Sequence, residues 1–310
     1  MLRGYFKTNK IFIRTLKTKV SKIDGQNVRI RSKEAWISTI GLEVHAQLKT
    51  KTKLFSRALA GYGGPTNSQV TLFDASTPGT LPVINKHAVE LALKAALALN
   101  CNINPISYFD RKHYFYGDLP AGYQITQQRK PIAFDGHLDF NVLKSGTVSE
   151  TSLKRANIIQ LQIEQDSGKS LHDDAANVTL IDLNRCGTGL IEIVFGPDLF
   201  HGEDAASLIK ELILILQTLD VCTCQMEAGA MRIDANISVR KFNSQTLGVR
   251  TEVKNINSVR GVVNAIESEI DRQIELLENG GEIINETRSY DGNLKRSVPM
   301  RDKEVKQDYR

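Results

Sequence analysis

The chain has 310 residues, of which 41% are hydrophobic and 24% charged, enough for one large folded domain or two smaller ones. No apolar run approaches the roughly 18 residues that a membrane-spanning helix needs, which excludes a helical membrane protein. The net charge of +5 permits a nucleic-acid partner without requiring one. The cysteines lack the paired spacing of a zinc site and are interpreted as reduced thiols, which suits an intracellular compartment. They are Cys101, Cys186, Cys222 and Cys224.

The first 23 residues carry seven basic side chains and no acid, with apolar residues at roughly helical spacing. A basic, acid-free, amphipathic start is typical of a mitochondrial transit peptide. A basic arm that binds nucleic acid is the alternative. The sequence therefore predicts a transit peptide at residues 1–23 and a location in the mitochondrial matrix, and the folded domain is expected to begin after it.

Apolar and polar side chains alternate along Ile40–Phe55, which predicts a half-buried strand. On its polar side, Glu43 and His45 are two residues apart and emerge from the same face, about 7 Å from each other. A carboxylate and an imidazole in one space can bind a metal or move protons. A solvated edge strand is the alternative.

Helices and loops follow in a recognisable order. A glycine-rich loop is expected at 56–76, and Asn85 is expected to cap a helix with apolar residues at helical spacing. The tyrosine-rich stretch Asp110–Gln127 fits base stacking and packing against a sheet equally well. Further amphipathic helices are predicted over Asp204–Asp220 and after Ser258, the latter ending at a Gly-Gly pair.

Three further segments repeat the period of a half-buried strand. Ile158–Lys169 places Ile159, Leu161 and Ile163 on one face and Glu164 on the other. Met231–Arg240 carries Asp234 on its polar face and is expected to pair with Val249–Asn257. In the latter segment, Glu252 and Lys254 share a face.

The apolar run Leu190–Val194 holds a single acid, Glu192. A carboxylate in such surroundings is costly unless it is paired or bound to a cation. A place on the solvated face of the strand explains it as well, and both interpretations stay open.

Four strands thus each bury an apolar row and present an acid: Glu43, Glu164, Asp234 or Glu252. An antiparallel sheet of this kind packs one face on helices and leaves a polar floor on the other. Carboxylates crowded together need a cation or raised pKa values. Oxygen ligands with one histidine suit Mg²⁺ or Mn²⁺, and Mg²⁺ usually accompanies ATP phosphates. The residues alone predict an α+β fold with a divalent-metal centre for phosphoryl transfer.

Motifs in family order from about Thr39 to Arg310 resemble the B subunit of aspartyl/glutamyl-tRNA amidotransferases. They include IGLEVHAQLKTKTKLFS, PGTLPVINKHAVELALKAALALN, FDRKHYFYGDLPAGYQITQ, IEQDSGKS, DLNRCGTGLIEIV, MEAGAMRIDANISVR and TEVKNINSVRGVVNAIESEI. The resemblance implies a catalytic cradle domain at 36–310 similar to the catalytic fold of glutamine synthetase.

The same resemblance implies a ligase that forms a carbon–nitrogen bond with glutamine as amide donor. It implies ATP- and Mg²⁺-dependent phosphorylation of the glutamyl side chain of misacylated Glu-tRNA(Gln), then amidation to Gln-tRNA(Gln) for mitochondrial translation. The ammonia would come from a glutaminase A subunit, in a complex with a small third subunit of the C type or the fungal F type. A scaffold without chemistry of its own, which holds tRNA and the A subunit, is the alternative. A free-standing ligase acting on glutamate without tRNA is a third.

Site residues are implied by the matching motifs. The metal ligands would be Glu43, His45, Glu164, Asp234 and Glu252, and the catalytic residues would be the same set without Asp234. The residues implied in binding substrate or ATP are Lys49, Tyr123, Gln124, Asn184, Arg185, Asn236, Lys254 and Asn255.

The chain departs from the family pattern in three places. Many members carry a four-cysteine zinc knuckle, and this chain has Ser56, Ala58, Thr71 and Asp74 at those positions, so we expect no zinc. Gln165 stands where many members have a second acid. The family continues into helical and tail domains that embrace the tRNA; we expect that this chain either is a fragment or lacks them, and that its tRNA binding is weak.

Overall fold

The computed structural model describes residues 19–23, 26–31, 34–143, 151–300 and 308–309. The helices are α1 (Lys86–Ala98), α2 (Gly202–Thr218) and α3 (Val259–Glu278). The strands are β1 (Lys19–Ile23), β2 (Gln26–Arg31), β3 (Glu34–Gln47), β4 (Asn102–Ile103), β5 (Asp110–His113), β6 (Tyr123–Thr126), β7 (Ala133–Leu143), β8 (Thr151–Gln165), β9 (Lys169–Asp173), β10 (Val178–Asp182), β11 (Gly189–Phe195), β12 (Met231–Lys241), β13 (Thr251–Ile256), β14 (Thr287–Asp291), β15 (Arg296–Pro299) and β16 (Asp308–Tyr309).

One large sheet dominates the described part of the chain. Its strand order is β15-β14-β13-β12-β3-β11-β8-β7-β4, and β2 also pairs with β3 and carries β1. Neighbouring strands in it are antiparallel except for the parallel pair of β13 and β14. This confirms the α+β class with a mostly antiparallel sheet, while the likeness to glutamine synthetase stays a prediction.

The alternation in the sequence explains which face of the sheet is covered. Leu42, Val44 and Ala46 of β3 are fully buried, in the same hydrophobic core as the inward residues of α2 and α3. Burial of each large apolar side chain stabilises the fold by about 1.5–3 kcal/mol. The opposite face of β3 carries the polar residues and is only partly covered.

The predicted helices and caps are confirmed. The side chain of Asn85 accepts hydrogen bonds from the backbone N–H groups of His87 and Ala88 at the start of α1. Ser258 Oγ accepts from the N–H of Gly261 at the start of α3. Both caps satisfy donors that a helix start leaves without an intrahelical acceptor.

Two strand predictions need correction. The central strand begins at Glu34 and ends at Gln47, so the part of Ile40–Phe55 after Gln47 is not a strand. On β8, Ile159 is 52% exposed and Ile158 is buried, the reverse of the predicted alternation. The register between β11 and β8 shifts between Val194 and Phe195, and such a bulge moves the side chains that follow it to the other face.

Residues 1–18 of the predicted transit peptide lie outside the described residues. Its last five residues form β1, which pairs with β2, and β2 pairs with the beginning of β3. The folded sheet therefore includes residues before position 36, where the predicted domain begins. Transit-peptide function itself stays a prediction.

The four cysteines are buried and free of disulfide bonds, as expected. No helix among the described residues is both long and apolar enough to cross a membrane.

Candidate metal and phosphoryl-transfer site

Five neighbouring strands, in the order β13-β12-β3-β11-β8, bring the predicted acids onto one face of the sheet. Glu43 of β3 lies directly opposite Asp234 of β12. On the other side of β3, His45 lies opposite Glu192 of β11. Directly opposed residues in an antiparallel pair point to the same side, about 4.5–5.5 Å apart at Cβ. The polar floor expected from the alternation is therefore present.

His45 is the centre of this floor. Its Nδ1 lies 3.0 Å from Oε1 of Glu164, and its Nε2 lies 3.7 Å from Oδ2 of Asp234. Burial alone would lower the pKa of His45, but the carboxylates of Asp234 and Glu164 raise it well above its usual value. Without a metal, the imidazolium offsets part of the repulsion between these two acids.

Lys254 has a similar role at one end of the floor. Its ammonium lies 3.0 Å from Asp234 and 2.9 Å from Glu252, so it bridges β12 and β13. Burial opposes ionisation of Asp234, but His45 and Lys254 hold the pKa of that carboxyl well below its usual range. Thr287 donates a hydrogen bond of 3.0 Å to the other oxygen of Glu252. These contacts fix the orientation of both carboxylates.

Glu192 belongs to the floor, although the predicted ligand set omitted it. Gln162 donates to one of its oxygens, and Thr126 in turn accepts from Gln162 at 3.2 Å. Burial, together with the nearby charge of Glu164, raises the pKa of Glu192 to about 8. This acid is thus close to other carboxylates and poorly solvated, which is the situation that a bound cation relieves.

The residues present fit a divalent cation. Two groups, Glu43–His45–Glu192 and Glu43–Asp234–Glu252, each have ligand atoms within 4.8 Å of one another, and they share Glu43. Asn236 donates to Glu43 at 2.8 Å, while its own Oδ1 is buried and has no hydrogen-bond partner among the described residues. Carboxylate oxygens with one imidazole and an amide oxygen are a donor set suited to Mg²⁺ or Mn²⁺.

A cavity of about 290 Å³ lies at the end of β8, the strand that carries Glu164. It is lined by the loop at 73–80, the turn at 119–123 and the end of β8 with Asp166. Gly187 also lines it, with a left-handed φ of +82°, and a Cβ there would approach Oδ1 of Asp74 to 2.8 Å. A glycine is therefore required at this wall of the cavity.

The loop that departs from the zinc-knuckle pattern is organised around Asp74. Its Oδ2 accepts hydrogen bonds from Ser56 at 2.9 Å and from the Thr71 hydroxyl at 2.8 Å. The fully buried ammonium of Lys53 lies 3.6 Å from the same oxygen. The fourth position, Ala58, is buried and apolar. The expectation of no zinc stays a prediction.

Several of the residues implied in substrate or ATP binding are near the floor. Asn236 and Lys254 are part of it, and Asn255 contributes its backbone N–H to Asp234 at 3.1 Å. Arg185 pairs with Asp166, which also pairs with Arg232, the cross-strand neighbour of His45. Tyr123 lines the cavity.

The other three predicted binding residues make their hydrogen bonds and ion pairs with groups outside the floor. Lys49 is half exposed and pairs with Asp220, because β3 has ended before it. Asn184 donates to the carbonyl of Pro65 at 2.6 Å and serves the neighbouring loop. Gln124 is buried and donates to the backbone of Gln165 at 2.6 Å.

The tyrosine-rich stretch is anchored to the sheet at its end, but Phe115 and Tyr116 within it are 76% and 48% exposed, so base stacking and packing both stay open. β5 and β6 pair with each other, and the N–H of Ile125 donates to the side chain of Gln165 at the end of β8. Thr126 at the end of β6 lies 3.4 Å from Glu164. Gln165 thus anchors this segment to the sheet.

The fold and the site define a protein with an acidic floor on a mostly antiparallel α+β sheet. The GatB/GatE catalytic domain matches residues 38–310, and the chain belongs to that family. The B subunit of the mitochondrial glutamyl-tRNA(Gln) amidotransferase of Aedes aegypti is 60% identical over 275 residues, which are 89% of this chain and 52% of that protein.

Two further relatives show how widely the similarity extends. The mitochondrial protein of the same name from Homo sapiens is 55% identical over 90% of this chain and 50% of its own length. The B subunit of the aspartyl/glutamyl-tRNA(Asn/Gln) amidotransferase of Orientia tsutsugamushi (strain Ikeda) is 49% identical over 89% of this chain and 56% of its own. The chain thus spans about half the length of these curated relatives.

Proposed function

We propose that this chain forms the catalytic region of a glutamyl-tRNA(Gln) amidotransferase subunit, and that it activates the glutamyl side chain of misacylated Glu-tRNA(Gln) with ATP. The observation that carries the proposal is the convergence of Glu43, His45, Glu164, Asp234 and Glu252 from neighbouring strands onto one floor. The names of relatives up to 60% identical support the substrate class. A scaffold would have no need for so many acids around one histidine.

The proposed reaction has two steps. A γ-carboxylate oxygen of the glutamyl group attacks the terminal phosphorus of ATP, so that a C–O–P link forms, the bridging P–O bond breaks and ADP leaves. Ammonia then attacks the acyl carbon, the C–OP bond breaks, inorganic phosphate leaves and the nitrogen loses a proton. The product is the γ-amide, glutaminyl-tRNA. Glutamine bound to a partner glutaminase subunit supplies the ammonia.

The floor residues would hold Mg²⁺ through the two groups that share Glu43. Bound there, Mg²⁺ would neutralise charge on the transferred phosphoryl group, an effect worth several kcal/mol. The chain's own part is orientation. Lys254 and Thr287 fix Glu252, while His45 holds Glu164 and Asp234 in place. Preorganised groups of this kind need no rearrangement at the moment of reaction.

The partners and location belong to the same proposal. The complex would contain a glutaminase A subunit and a small third subunit, and the chain would work in the mitochondrial matrix. Relatives named as mitochondrial and the basic, acid-free residues 1–23 support this location.

The test uses the chain purified in complex with its partner subunits. Glu43→Gln removes the acid shared by both groups, and we expect formation of Gln-tRNA from Glu-tRNA(Gln) and ATP to fall about 100-fold or more. Glu34→Gln is the matched control, because Glu34 lies on the same strand but is half exposed and pairs with Lys241 away from the floor. Activity of Glu43→Gln within a few-fold of wild type would favour a scaffold. Amidation of free glutamate without tRNA would favour a free-standing ligase.

A further inference from the structure

Arg232 has an unusual position at the edge of the polar floor. It is the second residue of β12 and the direct cross-strand partner of His45 on β3. Its guanidinium donates to Oδ1 of Asp166 at 2.7 Å. Asp166 directly follows β8, and the strand order is β12-β3-β11-β8. The ion pair therefore crosses β3 and β11, the two strands that carry His45 and Glu192.

Asp166 is held rigidly enough to position this guanidinium. Its side chain is 3% exposed, and its backbone exchanges hydrogen bonds with Thr188 at 2.8 Å and Gly187 at 2.9 Å. Its Oδ2 lies 3.4 Å from Nε of Arg185. One carboxylate thus pairs with two arginines, so these three groups together carry one net positive charge.

The two arginines differ in how many of their donors are used. Arg185 also donates to the carbonyl oxygens of Ser167 at 3.0 Å and Gly168 at 2.6 Å. For Arg232, Asp166 is the one hydrogen-bond partner among the described residues, although the side chain is only 24% exposed. A guanidinium has five N–H donors in a planar fork. Most of the fork of Arg232 is thus available to a ligand.

The available fork suits a phosphoryl group. Guanidinium binds phosphate oxygens in a bidentate arrangement and keeps its charge at any physiological pH. The acids beside it repel anions, so an anion is stable there only when it also meets cations. A phosphoryl group above the floor would lie between Arg232 on one side and the metal-binding acids on the other.

We infer that Arg232 is a catalytic residue whose guanidinium, positioned by Asp166, donates hydrogen bonds to the terminal phosphoryl group of the nucleoside triphosphate during its transfer. This inference rests on the proposed function. The arginine exchanges no proton; it stabilises the negative charge on the oxygens of the transferred phosphoryl group while the bridging P–O bond breaks. Asp166 acts through Arg232 and is a positioning residue.

The test compares ATP with ADP, because a contact to the terminal phosphoryl group affects only the former. In the complex with its partner subunits, Arg232→Lys keeps the charge and loses the fork, and Arg232→Met loses both. We expect kcat for Gln-tRNA formation to fall about 10-fold in Arg232→Lys and about 100-fold or more in Arg232→Met. By calorimetry, affinity for ATP should fall while affinity for ADP stays within about 2-fold of wild type.

Controls separate this role from a structural one. Arg240→Lys lies on the same strand, where Arg240 donates to the carbonyl of Ser244, and should leave kcat and both affinities unchanged. Asp166→Asn should weaken ATP binding more than ADP binding. Equal losses for ATP and ADP, or kcat of Arg232→Lys and Arg232→Met within 2-fold of wild type, would overturn the inference. A wild-type complex that neither binds ATP nor forms Gln-tRNA would instead overturn the proposed function. The glutaminase activity of each complex reports whether it is assembled.

Discussion

Nδ1 of His45 lies 3.0 Å from Oε1 of Glu164, although β11 separates the strands that carry them. The contact spans β11 above Glu192, which lies opposite His45 in the ladder. An imidazole held between two acids can occupy only a narrow range of orientations. His45 therefore couples the acids on both sides of β3, and its removal should affect the whole floor.

We expect His45→Ala and Glu252→Ala each to abolish glutamyl-tRNA phosphorylation in the assembled complex while glutaminase activity is retained. Loss of either side chain removes a ligand candidate and leaves neighbouring charges uncompensated. The measurement is transfer of labelled phosphate from ATP, with ammonia omitted. His87→Ala is the control, since His87 is exposed on α1. Phosphorylation within a few-fold of wild type in both variants would contradict a catalytic floor.

The central part of this site is predictable from the sequence because side chains two residues apart on a strand point to the same face. The alternation of β3 and β12 places Glu43 and Asp234 on one face, and their cross-strand pairing completes that prediction. The involvement of Glu192 depends on β11 lying between β3 and β8, and no local pattern encodes that strand order. The pairing of Arg232 with Asp166 depends on the same order.

Failures of the sequence prediction have physical causes too. Lys49 continues the alternation of β3, but the strand ends at Gln47 and the lysine turns to Asp220 in solvent. The alternation in the sequence assigns Ile159 to the core face, which holds only if β8 pairs with its neighbour without a bulge. The bulge opposite Phe195 breaks that assumption, and Ile158 is buried in its place.

Glu269 of α3 is a fully buried carboxylate on the covered face of the sheet, and we expect Glu269→Gln to destabilise the protein by about 3–5 kcal/mol. Arg272 donates to both of its oxygens, at 2.6 and 2.8 Å, and Ser297 donates at 2.6 Å. An amide would present N–H groups to these donors and leave Arg272 with only the more distant Glu286, at 4.0 Å, as a charge partner. Urea unfolding measures the loss, with exposed Glu227→Gln as the control.

The same carboxyl predicts a pH dependence. Burial opposes its ionisation, but hydrogen bonds from Arg272 and Ser297 hold the pKa of Glu269 below its usual value. The unfolded chain therefore binds this proton more readily, and the stabilisation is complete above the ordinary carboxyl pKa of about 4.3. It is lost as the pH falls through the lower pKa of the folded state. The stability gap between wild type and Glu269→Gln should shrink at acidic pH, and a constant gap would contradict this.

The N-terminal segment has a testable boundary. Lys19–Ile23 forms β1 and pairs with β2, so cleavage after Ile23 would remove a strand from the sheet. We expect residues 1–18 fused to a fluorescent protein to direct it to mitochondria, and the mature N-terminus to lie at or before Lys19. Mass spectrometry of the protein from isolated mitochondria locates that end. A cytosolic fusion, or a mature end after Ile23, would contradict the expectation.

Asn85 joins α1 to the loop that carries Lys53. We expect Asn85→Ala to lower the free energy of unfolding by more than an ordinary cap substitution does. Its Oδ1 accepts from the N–H of His87 at 3.0 Å, which caps the helix. Its Nδ2 donates to the carbonyl of Thr52 at 3.1 Å, which holds the loop. Loss of a cap costs about 1 kcal/mol, and an unsatisfied carbonyl adds about 1 kcal/mol more.

Asn85→Asp separates the two contributions, because it keeps the capping oxygen and loses the donor. We expect about 2 kcal/mol of destabilisation for Asn85→Ala and about half of that for Asn85→Asp, measured by urea unfolding. Exposed Lys94→Ala on the same helix should change stability by less than about 0.5 kcal/mol. Hydrogen exchange should show faster opening at the start of α1 in Asn85→Ala alone, and around residues 52–54 in both Asn85 variants. Equal losses in the two variants would mean that the side-chain amide, and not the cap, accounts for the whole effect.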